Sequence, residues 1–518
     1  MTVLDLPLTF LTLVRTRAHA AAFPVSAQLV VVTLALPISV FSLWYYYLRT
    51  SNASKAPALP NVYVAGTDGG KRSVAEARKH FVHHCGEIMR EGYEKTQGGF
   101  FYIPTPAGDR LMIPTKYMEE LKNAPDELVD FTGSFLEMFS GKYTTIGVKW
   151  HLHPNVVKKD LNANLALILP DVEDEVYHAF QTLLPKHDDW TPVRIADLFT
   201  DIISRASNRM LGGKELSRNR EWTATSIDFT TDTWLASQRL KRFPALLRPL
   251  AQYWIPEMDQ VRRHQAVARR VIKPLMERRL AEEDNRHSDL LQMLWEGARG
   301  SDKTPDFMAY TSLAISFAAI RTSSSVPTHL IYDLCARPEY VEPLLEEIDK
   351  MLKEEGGRFT KAGLSRLVKL DSFMKESQRF NPLSFLTFGR LLHKDLRLHD
   401  GVVIPAGTMI GLPAYAIAHD PQFYGPSPET FDGFRHVGGS AQFVTTNAAN
   451  LAWGYGKHAC SGRFFAAGEI KMIVAYFLLH YDFKFAKEDM PRPANIAFEL
   501  QNMADPTVEI LVRRRERQ

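Results

Sequence analysis

The sequence predicts a mainly α-helical protein with small β-sheets, standing behind one N-terminal transmembrane helix. Three observations predict it. Apolar residues recur at helical spacing over most of residues 115–380 and again from 463 to 480. Strand-like runs bounded by turn residues are short and confined to a few places. A charge-free apolar stretch lies close to the N-terminus. Of 518 residues, 45% are hydrophobic and 23% charged, which suits an ordered globular chain.

Residues 1–25 precede the apolar stretch, and residues 26–48 form it, reading SAQLVVVTLALPISVFSLWYYYL. About 20 apolar residues cross a bilayer as a helix, so this run is long enough to be an anchor. Trp44, Tyr45, Tyr46 and Tyr47 gather at its end, where amphipathic rings favour the headgroup region. It is longer and starts later than the apolar core of a cleaved signal peptide. Arg15 and Arg17 before it and Arg49 and Lys55 after it leave its orientation open. Residues 49–62 follow as a proline-containing linker, stiff at Pro57 and Pro60. No Pro/Gly/Ser-rich linker divides residues 63–518, which read as one catalytic domain.

Within that domain, residues 74–97 have helical spacing. Residues 100–104 and 111–114 flank a turn at 106–109 and read as a β-hairpin. The longest helix is expected over about 305–336, apolar on nearly all faces and therefore buried, with Pro327 kinking or dividing it near 326. Residues 390–398 and 401–410 read as two strands about a turn near Asp400, and 508–512 as a last strand.

The net charge of +3 is too mild to imply a nucleic-acid partner. Three cysteines without a CxxC pair argue against a zinc site or a disulfide framework, and suit a reducing compartment. Cys85 and Cys335 lie in apolar helical runs and read as inert core thiols. Cys460 is different. It sits in the glycine-rich loop Trp453-Gly454-Tyr455-Gly456-Lys457-His458-Ala459-Cys460-Ser461-Gly462, directly before a periodic helix. The unpaired N–H groups at a helix start favour an anion, so the thiol pKa is expected to be depressed. By itself that loop leaves a reactive thiol and a metal-bound thiolate both open.

Residues 453–462 resemble the haem-binding loop of the cytochrome P450 family, FxxGxRxCxG, and most closely its fungal microsomal form, FGYGKHACPGR. Trp453 stands in place of the Phe and Ser461 in place of a common Pro. Glu376-Ser377-Gln378-Arg379 resembles the family's ExxR motif, and Pro428 to Arg435 supplies a PxxFxxxR-like segment. The resemblance covers roughly residues 60–515 and implies haem b with Cys460 as the axial iron ligand. It also implies a cofactor site of Cys460, His458, Arg390, Lys158, Trp453, Gly454 and Gly462, with Glu376, Arg379 and Arg435 as a structural triad behind the haem.

Ala318-Ala319-Ile320-Arg321-Thr322-Ser323 resembles the family's oxygen-binding motif. There Ala318 and Ala319 would leave room for O2 and substrate, and Thr322 would present its hydroxyl to the distal face. A helical threonine can instead simply bond its i−4 carbonyl. Arg321 departs from the Asp or Glu usual in the family, so water and Thr322 are left to relay protons. His151 and His153 lack a third ligand and read as packing or haem-edge residues rather than a metal pair.

The implied activity is a membrane-bound monooxygenase that inserts one atom of O2 into a lipophilic substrate, by hydroxylation, epoxidation or multi-step oxidation. Electrons would come from NADPH through a membrane-bound reductase docking near Lys457, Arg463 and Lys471. The endoplasmic reticulum, with a cytosolic catalytic domain, is the location implied. The loop resembles those of fungal secondary-metabolism oxidases, including terpenoid ones. A haem-thiolate isomerase or dehydratase, needing neither O2 nor reductase, is the alternative.

Overall fold

The computed structural model describes residues 59–148, 151–184, 189–282, 287–487 and 489–515. The expected anchor at 26–48 and most of the linker lie outside the described residues. No helix among the described residues is long and apolar enough to cross a membrane.

The protein is mainly helical with small sheets. Helix α1 (Val74–Lys95) starts at a reciprocal capping box. The Ser73 hydroxyl accepts from the Glu76 N–H, and the Glu76 carboxylate accepts from the Ser73 N–H. The hairpin follows as β2 (Phe101–Thr105) and β3 (Gly108–Met112), turning through Pro106 and Ala107. It belongs to a six-stranded sheet ordered β1-β2-β3-β9-β6-β4, where β1 is Tyr63–Val64, β4 Val129–Asp130, β6 Leu386–Leu392 and β9 Met409–Pro413. One face of this sheet packs on α1 through Phe81, Cys85, Met89, Phe101, Ile103 and Met112.

The helical layer comprises α2 (Phe131–Met138), α3 (Leu165–Leu183), α4 (Ile195–Ser217), α5 (Arg220–Lys241), α6 (Pro256–Ala281), α7 (Pro305–Ala336), α8 (Val368–Phe380) and α9 (Arg463–His480). Helix α7 runs through its middle, packed by α4, α5, α6, α8 and α9. Its apolar composition on all sides is thereby explained. Of the kink or division expected at Pro327, the division does not occur: α7 is one continuous helix with Pro327 buried inside it. A proline there forfeits one backbone bond and costs about 3 kcal/mol.

The strand region after residue 385 differs from the expected pair. It holds four strands, with β6 and β9 joining the large sheet and β7 (Leu396–Arg397) pairing with β8 (Val403–Ile404) around the turn at Asp400. The last strand, β13 (Glu509–Arg514), joins β10 (Tyr481–Phe485) and β5 (Thr191–Arg194), and β11 (Ile496–Phe498) pairs with β12 (Gln501–Met503).

Candidate haem-thiolate site

The cysteine loop closes on itself before α9 begins. The Cys460 N–H donates to the Trp453 carbonyl at 2.7 Å, and Gly454 and Gly456 take positive φ of 72° and 74°. At Gly456 a Cβ would sit 2.1 Å from the Lys122 carbonyl oxygen, so only glycine fits that crossing. Trp453 is anchored by an indole N–H bond to the Phe443 carbonyl at 2.9 Å and an edge contact with the Phe443 ring. At Gly462 an added Cβ would meet only Val157 Cγ1, at 4.0 Å.

Cys460 itself is accessible, yet protein atoms surround it densely enough that burial pushes its thiol up. The N–H groups of Gly462 and Arg463 and the Arg463 charge pull the other way without overcoming that burial. The depressed pKa expected from the helix start is therefore corrected: in the protein alone, desolvation outweighs the dipole. An accessible sulfur with two N–H groups aimed at it fits a thiolate bound to a metal, whose charge supplies the missing stabilisation. Cys85 and Cys335 carry thiols raised by burial, as inert core residues do.

Behind the loop, Glu376 is fully buried on α8. Arg379 grips it through Nε at 2.9 Å and Nη2 at 2.7 Å, and Arg435 Nε reaches it at 3.2 Å. The Asp432 N–H adds a fourth donor at 3.0 Å. Burial pushes the Glu376 carboxyl up, but Arg379, Asp432 and Arg435 together hold it below its usual value. Arg379 also donates to the carbonyls of Ala418, Pro428 and Thr430, and Arg435 to those of Tyr424 and Thr430. The three residues thus meet, and they clamp the segment leading to the cysteine loop onto α8.

Arg390, on β6, is 4% exposed and forms no ion pair among the described residues. Its Nη1 bonds only the Gly389 carbonyl, and its guanidinium lies over the rings of Phe388 and Phe131. Burial lowers its pKa to about 10. Asp126 and Asp130 lie close enough to act on it through space, but no carboxylate among the described residues pairs with it directly, and a haem propionate would. His458 stacks on the same Phe131 ring at 4.9 Å and bonds Asp126 at 2.8 Å. Lys457 pairs with Asp126 as well. Phe131 and Asp126 were not legible as site residues in sequence; only their place near the hairpin sheet brings them here. Lys158 is exposed on a π-helical turn (Val157–Leu161) and forms no ion pair among the described residues. Next to that turn, Asn162 bonds the Ser461 carbonyl of the cysteine loop.

On α7, Ala318 and Thr322 are exposed and Ala319 half-buried, midway along a helix whose flanking residues are buried. Exposure midway along an otherwise buried helix leaves these side chains facing open space. An aromatic path over α2 links the two sides: His458–Phe131, Phe131–Phe135 at 5.8 Å, Phe135–Phe139 at 4.8 Å, and Phe139–Phe317 at 5.0 Å beside Ala318. The Thr322 hydroxyl donates to the carbonyls of Ala318 at 2.8 Å and Ala319 at 3.2 Å. Its proton is therefore engaged within the helix, and what it presents to the space is an acceptor. Arg321 Nη2 donates to Thr231 Oγ1 on α5 at 2.7 Å.

Two further expectations resolve. His151 bonds Asp302 at 2.8 Å while burial drives His153 down to about 4, and neither belongs to a three-ligand group among the described residues. Lys471 is buried, paired to Asp371 at 2.6 Å and donating to the Leu364 carbonyl, so it adds no charge to the surface near the loop.

A cytochrome P450 family model matches residues 141–507. The chain is 37% identical to the cytochrome P450 monooxygenase AN1598 of Emericella nidulans, covering 82% of this chain and 83% of that protein. It is 36% identical to the cytochrome P450 monooxygenase braC of Annulohypoxylon truncatum (92% and 95% covered). It is 33% identical to the ent-kaurene oxidase P450-4 of Gibberella fujikuroi (92% and 96% covered).

Proposed function

The chain belongs to the cytochrome P450 family, a family of haem b monooxygenases fed electrons from NADPH by a reductase, and on that footing we propose that it is membrane-anchored and oxidises a lipophilic, terpenoid-type substrate of fungal secondary metabolism. The observation that carries the catalytic reading is the pairing of an accessible Cys460 with an internal opening at Ala318 and Thr322.

Cys460 would bind the iron, and Arg390 and His458 would hold the propionates. Trp453, Gly454 and Gly462 would shape the pocket around the sulfur, and Lys158 would add charge at the haem edge. When bound, the haem supplies O2 activation, one oxygen atom going to substrate and the other to water. The aromatic residues of α2 exclude water from the space, and the small side chains of Ala318 and Ala319 admit the ligands. Thr322, with its proton bound to the Ala318 carbonyl, would hold a water molecule as its acceptor and so fix one station of the proton route.

Residues 1–25, the anchor at 26–48 and the linker at 49–62 would tether the catalytic domain, 63–518, on the cytosolic face of the endoplasmic reticulum. The segment between α5 and α6 supports a membrane contact: Leu246, Leu250, Tyr253 and Trp254 are 75, 57, 65 and 75% exposed, interleaved with Arg242 and Arg248. Apolar and aromatic groups among basic ones suit an anionic bilayer surface. Likeness to an ent-kaurene oxidase supports a terpenoid substrate. The reductase would dock on the cysteine side at Lys457 and Arg463, without Lys471.

The test is NADPH- and O2-dependent turnover of candidate terpenoids in vesicles carrying a fungal reductase. Product that incorporates labelled oxygen from O2 supports the reading. Conversion without O2 or reductase would instead identify an isomerase or dehydratase.

A further inference from the structure

Arg321 stands in an unusual place for a cation. Its helix, α7, is buried along most of its length, and Ile320, Ser323 and Ser324 beside it are buried. Arg321 itself is exposed, on the arc that also exposes Ala318 and Thr322. Residues three and four apart share a helix face, so the guanidinium stem rises beside the space those two residues line. Phe317 lies one turn back, in edge contact with Phe139 at 5.0 Å and Phe229 at 6.4 Å.

Among the described residues no carboxylate pairs with this charge. Arg321 forms no ion pair among the described residues, and its one hydrogen bond goes to the neutral hydroxyl of Thr231. Asp232, next to Thr231, is already held by His264 at 2.8 Å. Five guanidinium donors with one in use leave the fork free for a planar anion. The guanidinium accepts no hydrogen bond and so relays no proton as a carboxylate would.

We propose that Arg321 is a specificity-determining residue that binds a carboxylate carried by the lipophilic substrate. The preferred substrate is then an acid with a large apolar body, anchored at Arg321 by a forked ion pair while the body fills the aromatic space under α2. The Thr231 hydroxyl fixes the guanidinium in place, so its entropy is spent before the substrate arrives. This rests on the monooxygenase reading, but its test does not need turnover.

The experiment uses the ferric holoenzyme after its reduced CO spectrum has been recorded, so failure of haem-thiolate binding shows separately. A diterpenoid carboxylic acid and its methyl ester are titrated in parallel, read by the haem difference spectrum and by calorimetry. The acid should bind about tenfold or more tighter than the ester, as a charge-assisted fork requires. Arg321→Gln should erase that ratio while leaving ester affinity within about twofold, and Arg321→Lys should keep part of it as a point charge without the fork. Equal binding of acid and ester by the unaltered enzyme, no binding of the acid, or a preference that survives Arg321→Gln overturns the proposal. A rise in peroxide leakage with the ratio unchanged would assign Arg321 to proton delivery instead, and overturns it too.

Discussion

Arg379 and Arg321 both project from helices that are buried along most of their length. Arg379 is answered at every turn, by both oxygens of Glu376 and the carbonyls of Ala418, Pro428 and Thr430. Arg321 has one neutral partner, Thr231. The same division separates two regions of the molecule. Behind the cysteine loop, charges are paired and satisfied within the chain. On the α7 side and at Arg390, cations and hydroxyls stand ready for groups the chain does not itself supply. A buried charge answered internally builds the fold, while one left unanswered beside an opening points to a ligand.

The sharpest way to break this contrast is at the satisfied end. Glu376→Gln leaves Arg379 and Arg435 without their anion, and losing one partner of a buried pair costs about 3–5 kcal/mol. The expected outcome is protein that unfolds at lower temperature and recovers little haem, measured by calorimetry and the pyridine haemochrome. Normal stability would place the triad among dispensable contacts.

At the unanswered end, Arg390→Met should leave the fold intact and loosen the haem. Hydrogen bonds to a charged group contribute about 1.5–3 kcal/mol, so transfer of haem to apomyoglobin should accelerate roughly tenfold to a hundredfold. A transfer rate equal to that of the unaltered protein would mean the propionates lie elsewhere.

Glu469 sharpens the contrast from inside the satisfied region, because it is the exception there. It is fully buried on α9, accepts one bond from Ser207 at 2.8 Å, and keeps Oε2 without a partner. Burial pushes its pKa from 4.5 up to about 8. The folded state thus binds this proton more tightly than the unfolded state. The neutral carboxyl's contribution is complete below about pH 4.5 and is lost as pH rises toward 8. Glu469→Gln should melt higher than the unaltered protein at pH 9 and no differently at pH 4.5. Parallel melting curves at all pH values would count against a neutral Glu469.

Thr322→Ala should have the smallest effect on stability, under about 1 kcal/mol, since it removes only a bond within the helix. Its effect should appear in coupling, with less product and more peroxide per NADPH. Unchanged product and peroxide would remove Thr322 from the proton route.

Much of the fold and site was legible because it rests on local chemistry. The capping box at Ser73 and Glu76, the hairpin turn at Pro106 and Ala107, and the periodic run that became α9 all declare themselves within a few residues. Glu376, Arg379 and Arg435 were legible as motifs, and the structure brings them into one cluster. What sequence could not supply was environment. The Cys460 thiol was judged from a helix start, while its pKa is dominated by burial that only tertiary packing creates. Lys471 reads as surface charge in the sequence, but packing buries it in an ion pair with Asp371. Asp126 and Phe131 lie far from Cys460 in the chain and carry no motif. Pro327 failed to divide α7 because neighbouring helices outweigh one lost backbone bond.

Cys460 as the iron ligand is the residue role on which the others depend. The direct measurement is the reduced CO spectrum of the purified, haem-loaded protein beside that of Cys460→His, with iron content determined for both. The thiolate-type CO-shifted band should be present in the unaltered protein and absent from the variant, even where the variant retains haem. A band lacking the thiolate shift in the unaltered protein, or an unchanged band in Cys460→His, would contradict it.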